Sequence, residues 1–164
     1  MTNIRNVASF SGGLIDLNRA QVEHRATWLA YMYDEALKEG VDAHNMTRNA
    51  VRRCGFFHGE FYQNSSSSVD FEKFNKQFFH PVAMKTFEMD SVQVTDNELT
   101  VEFHYCPLVT AWQKIGVDDE TCAVLCDIAM EGDRAIAEAI GARLEITDTI
   151  AKGCNSCKMK FIKA

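Results

Sequence analysis

Between Phe87 and Tyr105 the spacing of apolar residues changes from helical to alternating, and this change constrains the fold of the chain more than any other feature. Phe87, Met89, Val92 and Val94 lead into a turn at Thr95 to Glu98, and Leu99, Val101, Phe103 and Tyr105 follow it. Such a pattern predicts a β-hairpin with one apolar face. Alternation then places Thr100, Glu102, His104 and Cys106 together on the opposite face.

The period changes back after the hairpin. Pro107 suits the first turn of a helix, because its missing N–H needs no partner there, and Leu108, Val109, Trp112 and Ile115 follow before Gly116. Asp118 is a candidate cap for a second helix, with Asp119 and Glu120 at its positive end, Val124, Leu125 and Ile128 as buried positions, and a kink expected at Gly132 before Ile140. Leu144, Ile146 and Ile150 alternate with polar residues as a strand, and Met159 with Phe161 predict a last strand after a turn around Gly153. The C-terminal half therefore reads β-β-α-α-β-β.

The N-terminal half is helical in period. Val22, Ala26, Leu29, Tyr33 and Leu37 predict a helix over 16–37, capped by Asp16 and ended near Gly40. A second helix starts near Asp42 and carries Met46, Val51 and Cys54 until Gly55 interrupts it, with Phe56, Phe57, Phe61 and Tyr62 continuing beyond. Ser65 to Ser68 read as an exposed loop, and Asp70 caps a short helix bearing Phe71, Phe74 and Phe78 that stops before Pro81. The expected fold is a single α+β domain over residues 1–164, with N-terminal helices and a helical pair packed on an antiparallel four-stranded sheet.

Composition narrows the function. A net charge of −6 argues against phosphate backbones and anionic membranes as partners. The local exception, Arg48, Arg52 and Arg53, reads as a solvated helix face able to receive a carboxylate. No signal-like segment and no run of about 18 apolar residues is present, so a cytoplasmic protein is expected. Without an export signal, the six cysteines are better read as thiols, ligands or redox groups than as a disulfide framework. There is no Walker loop, dinucleotide-binding glycine pattern or H-E-x-x-H motif.

Five of the six cysteines fall between His104 and Cys157. Cys122 and Cys126 share a helix face, with Asp133 two turns beyond Cys126; Cys122 and Cys54 are assigned to packing, as small hydrophobes. Cys154-Asn155-Ser156-Cys157 is a C-x-x-C on a turn, used by zinc sites and redox dithiols alike, although a strand rather than a helix follows it. Cys106, Cys126, Cys154 and Cys157 are the candidate zinc ligands. Cys106 immediately precedes a helix, whose N-terminus lowers a thiol pKa, and a buried Asp133 with a raised pKa would move protons beside it.

Tyr105-Cys106-Pro107-Leu108-Val109, Trp112, Gly116, Leu125-Cys126-Asp127, Asp133, Ile150-Ala151-Lys152-Gly153 and Cys157, taken in order, resemble the L-2-amino-thiazoline-4-carboxylic acid hydrolase family. The resemblance implies hydrolytic opening of a small cyclic amidine to a carbamoyl-cysteine product, with no cofactor. On this reading Cys106, Cys126 and Asp133 are catalytic, and His104, Trp112 and Cys157 bind substrate. Cys154 departs from the family pattern, where an aspartate is expected. The Gly-x-x-x-Cys ending also looks like the vinyl-reductase-type domain, which implies the alternative of a zinc- or small-ligand-binding module. The expected partner is a small-molecule substrate, with neither nucleic acid nor membrane, and homo-oligomerisation is left open.

Overall fold

Asp42, Asp70 and Asp118 each accept a backbone N–H three residues further on, and each starts a helix. In the computed structural model, which describes residues 2–63 and 69–164, the helices are α1 (Gly13–Lys38), α2 (Ala43–Gly59), α3 (Phe71–Phe78), α4 (Pro81–Thr86), α5 (Pro107–Lys114) and α6 (Asp119–Ala139). The strands are β1 (Met89–Val94), β2 (Glu98–Phe103), β3 (Ala142–Asp148) and β4 (Cys157–Lys163). The C-terminal order is β-β-α-α-β-β, as the periodicity predicts. The serine tract Ser65 to Ser68 lies outside the described residues.

All pairings in the sheet are antiparallel, in the order β1-β2-β4-β3. Leu99 faces Phe161 and Val101 faces Met159 across β2 and β4, while Leu144 and Ile146 take the same two partners from β3. This apolar face packs with Phe71 and Phe74 of α3 and with Ile136 and Ala137 of α6. The other face carries ion pairs such as Lys160 with Glu98 at 2.8 Å, so it stands in water. A second core joins α1, α5 and α6 through Ala26, Leu29, Trp112, Leu125 and Ile128. Met130 packs against both cores.

Several boundaries differ from expectation, each for a physical reason. α1 begins at Gly13 rather than Asp16, and Leu37, expected in its buried stripe, is 54% exposed because the last turn of α1 buries Ala36 in its place. Gly55 does not interrupt α2. A Cβ there would lie 2.3 Å from the Gly132 carbonyl oxygen, so the glycine is required for α2 to approach α6, which itself runs unbroken through Gly132. Pro81 opens α4, capped by His80 Nδ1 at 3.3 Å from the Ala83 N–H, where no helix was expected. Phe87 and Tyr105 fall outside the hairpin strands, and Ile150 sits in a 3-10 turn beyond β3.

Of the three arginines in the basic patch, Arg48 and Arg52 receive carboxylates as allowed and clamp α2 to α6, while Arg53 is exposed. Arg48 binds Asp127 and Glu131, Arg52 binds Glu138, and Arg134 binds Asp127 and Glu131, joining α2 to α6. Among the described residues no helix is long and apolar enough to cross a membrane.

Candidate active site

Because β2 ends at Phe103, Cys106 is not the last member of a strand face. It is the N-cap of α5, with φ −132° and ψ 109°. Asn6 holds its backbone from the far end of the chain: Asn6 Oδ1 accepts the Cys106 N–H at 2.9 Å, and Nδ2 donates to the Cys106 carbonyl at 2.8 Å and to Thr110 Oγ1 at 2.9 Å. The Asn6 segment is anchored in turn, since Gln113 Nε2 donates to the Ile4 carbonyl and the Asn3 N–H donates to Asp119. A residue preceding a helix is thus pinned on both its backbone polar groups, so the position of its side chain is set by the fold.

Four thiols gather here. Cys122 and Cys126 belong to one apolar cluster, with Cys106 and Cys157 packed against it. Burial pushes the Cys106 thiol above its ordinary pKa; the Val109 and Leu108 amides and the Arg25 cation pull the other way without reversing it. The expectation of a thiol lowered by the helix terminus is therefore corrected, because desolvation outweighs the terminus. Burial also pushes Cys122 and Cys157 up to about 12 and Cys126 well above the usual range, with neighbouring thiols adding to the effect in each. Cys157 Sγ accepts the Ile150 N–H at 3.2 Å, which joins the start of β4 to the 3-10 turn at Ile150–Lys152.

Asp133 is on the same side of α6, two turns after Cys126. Burial raises its carboxyl from 3.8 to about 6, against the pull of Arg25 and Arg134. Its charge is felt at both Cys106 and Tyr62, which places acid, thiol and phenol in one electrostatic neighbourhood. Neither Asp133 nor Arg25 makes an ion pair among the described residues, whereas Asp127 and Glu131, six and two residues earlier on α6, are each bound by two or more arginines. A carboxylic acid raised to about 6 is equipped to exchange protons with a bound molecule near neutral pH.

Other expected site residues are engaged elsewhere. Trp112 is 0% exposed and its indole N–H donates to the Ala26 carbonyl at 3.0 Å, which makes it a core residue holding α5 to α1 rather than a substrate contact. His104 Nε2 pairs with Asp90 Oδ1 at 2.9 Å on the exposed edge of the hairpin. Cys54, assigned to packing, is exposed. The proposed zinc set of Cys106, Cys126, Cys154 and Cys157 is not assembled: among the described residues, the one group of ligand atoms mutually within 4.8 Å is Asp90, Glu102 and His104. That group is already satisfied internally, since Glu102 accepts a hydrogen bond from Ser156 and Asp90 is taken by His104.

The L-2-amino-thiazoline-4-carboxylic acid hydrolase family profile matches residues 19–161. The chain belongs to this family. The match spans Arg25, Tyr62, Cys106, Cys126, Asp133 and Cys157. No curated protein matches the chain in sequence. Among solved structures, a trafficking protein particle complex subunit 3 from Naegleria fowleri, covalently bound to palmitic acid, is similar at 12% identity with a TM-score of 0.47, over 85% of this chain and 95% of that one. Sequence reasoning missed Asn6, Arg25 and Tyr62. Nothing in local spacing signals them, because Asn6 meets Cys106 only in the fold, and Arg25 and Tyr62 are linked to Asp133 only through its charge.

Proposed function

We propose that this hydrolase opens a small cyclic amidine of the 2-amino-thiazoline-4-carboxylate kind, with Cys106 as nucleophile and Asp133 as the proton carrier. What supports the reading is the position of Cys106 at the N-cap of α5, pinned by Asn6, with its thiol feeling the charge of Asp133, whose carboxyl burial raises to about 6. Near neutral pH such an acid is mostly ionised and so able to accept a proton, yet close enough to its pKa to return one.

The reaction then runs in two stages. Cys106 Sγ bonds to the amidine carbon as its proton passes to Asp133, and the bond from that carbon to a ring heteroatom breaks as Asp133 returns the proton to the leaving atom. Water next adds to the same carbon with Asp133 as base, and the carbon–sulfur bond to Cys106 breaks, restoring the thiol and releasing the carbamoyl product. The Val109 and Leu108 amides favour negative charge on Sγ as it develops. Cys126 and Cys157, held as neutral thiols by burial, form the pocket wall rather than reacting.

Acid-quenched samples taken during turnover test the covalent step. The expected result is one substrate-derived adduct on the peptide carrying Cys106 in the wild type and none in Cys106→Ser. An adduct on another cysteine, or undiminished turnover by Cys106→Ser, would overturn the assignment.

A further inference from the structure

We propose that the outer face of α1 is the interface of a two-fold symmetric dimer, in which α1 of one copy packs antiparallel on α1 of the other. A surface helix ordinarily turns one apolar stripe to the core and a polar face to water. α1 carries two such stripes. Val22, Ala26 and Leu29 are buried, while Leu14, Leu17, Trp28 and Tyr31, on the other side of the helix, are each between 54% and 62% exposed. Leu14, Leu17, Gln21, His24, Trp28 and Tyr31 follow one another at alternating steps of three and four residues, the spacing with which one helix seats on another, and all six are exposed.

The order of residues in this stripe is what selects a second copy as its occupant. Turned end for end about a point between Val22 and Glu23, the stripe sets Leu14 against the partner's Tyr31, Leu17 against the partner's Trp28, and Gln21 against the partner's His24. Each leucine then meets a ring, and the amide meets the imidazole, which supplies the donor and acceptor it needs. A parallel pairing would instead stack tryptophan on tryptophan in one layer and leucine on leucine in another, which packs less evenly. Trp28 is already braced by His24, with ring centroids 5.1 Å apart, so it has less freedom to lose on association.

The area is sufficient. At roughly 100–150 Å² of exposed surface each, Leu14, Leu17, Trp28, Tyr31 and the adjoining Met32 present on the order of 500–600 Å² per copy. With Ala20, Gln21 and His24 included, two copies would bury about 1,400 Å², inside the range of roughly 1,200–2,000 Å² of a specific interface. A lipid surface fits less well. One arginine, Arg25, borders the stripe and Lys38 is held by Asp34 and Glu35, so the cluster of cations with which an interfacial helix holds a membrane is lacking.

Sedimentation equilibrium of the full chain tests the dimer independently of any activity. At micromolar concentration the wild type should have twice the chain mass. Leu17→Glu and Trp28→Lys, both at exposed positions and so expected to leave the circular dichroism unchanged, should each weaken the dimer about 30-fold or more. Combining the two on one chain sets the new carboxylate against the partner's new ammonium at both ends of the stripe, so part of the loss should return; a parallel pairing would set like charges together and return none. A monomeric wild type, an unweakened dimer in either single variant, or no recovery in the double variant would overturn the proposal. A wild type that stays monomeric and floats with vesicles of phosphatidylcholine and phosphatidylserine would assign the stripe to a lipid surface instead.

Discussion

Asp133 is kept at a cost to stability. Its carboxyl pKa is about 6 in the folded protein against 3.8 ordinarily, so the native state binds this proton more tightly than the unfolded chain. The associated stability is fully present below about 4 and is lost as pH rises through about 6. Two pKa units correspond to roughly 3 kcal/mol at most, and partial exposure lowers this to about 1–2 kcal/mol. Asp133→Asn is therefore expected to be more stable than wild type at pH 7.5 by about that amount, with the gain fading by pH 4, while turnover falls about 100-fold or more. Urea melts at the two pH values beside an activity assay check this, and a variant that is both less stable and fully active would contradict it. The cysteines were legible at this scale because residue type alone draws attention to them. Asn6 was not, since an asparagine acquires its role only from the partner the fold brings to it.

At the scale of elements, packing decided what periodicity left open. The hairpin and the Asp118 cap followed from alternation and capping chemistry, and both formed as expected. Gly55 looked like a helix breaker, yet its lack of a side chain serves the crossing of α2 and α6. Gly55→Ala should cost at least ~2 kcal/mol, because the added methyl meets backbone that cannot yield. Gly132→Ala meets the Val51 side chain at 3.4 Å and gains helix propensity, so its cost should be smaller. Thermal melts of the two variants rank them, and the reverse order would show that the crossing is looser than described. α4 escaped notice because six residues after a proline give too short a stretch for a helical period to register.

Across the whole molecule, the N-terminal segment and α1 tie the two cores to the site. Arg19 is buried between the rings of Phe10 and Tyr105, donates to the Thr86 and Phe10 carbonyls, and pairs with Glu88 at 2.9 Å. Burial alone would raise the Glu88 carboxyl, but Ser9 and Arg19 hold it below its ordinary value, so its contribution is present above the unfolded pKa and lost as pH falls through the folded one. Arg19→Met should cost about 3–5 kcal/mol by leaving Glu88 unpaired, and adding Glu88→Gln should recover part of that loss. Urea unfolding of single and double variants measures it; additive losses would contradict the pairing. The fold class was readable from the order of periods, whereas the closing of the site by residues from both ends of the chain was not. Turnover of 2-amino-thiazoline-4-carboxylate by wild type and by Cys106→Ser of matched circular dichroism tests the role of Cys106. Hydrolysis by the wild type and its loss in the variant are expected, and equal turnover by the two would overturn that role.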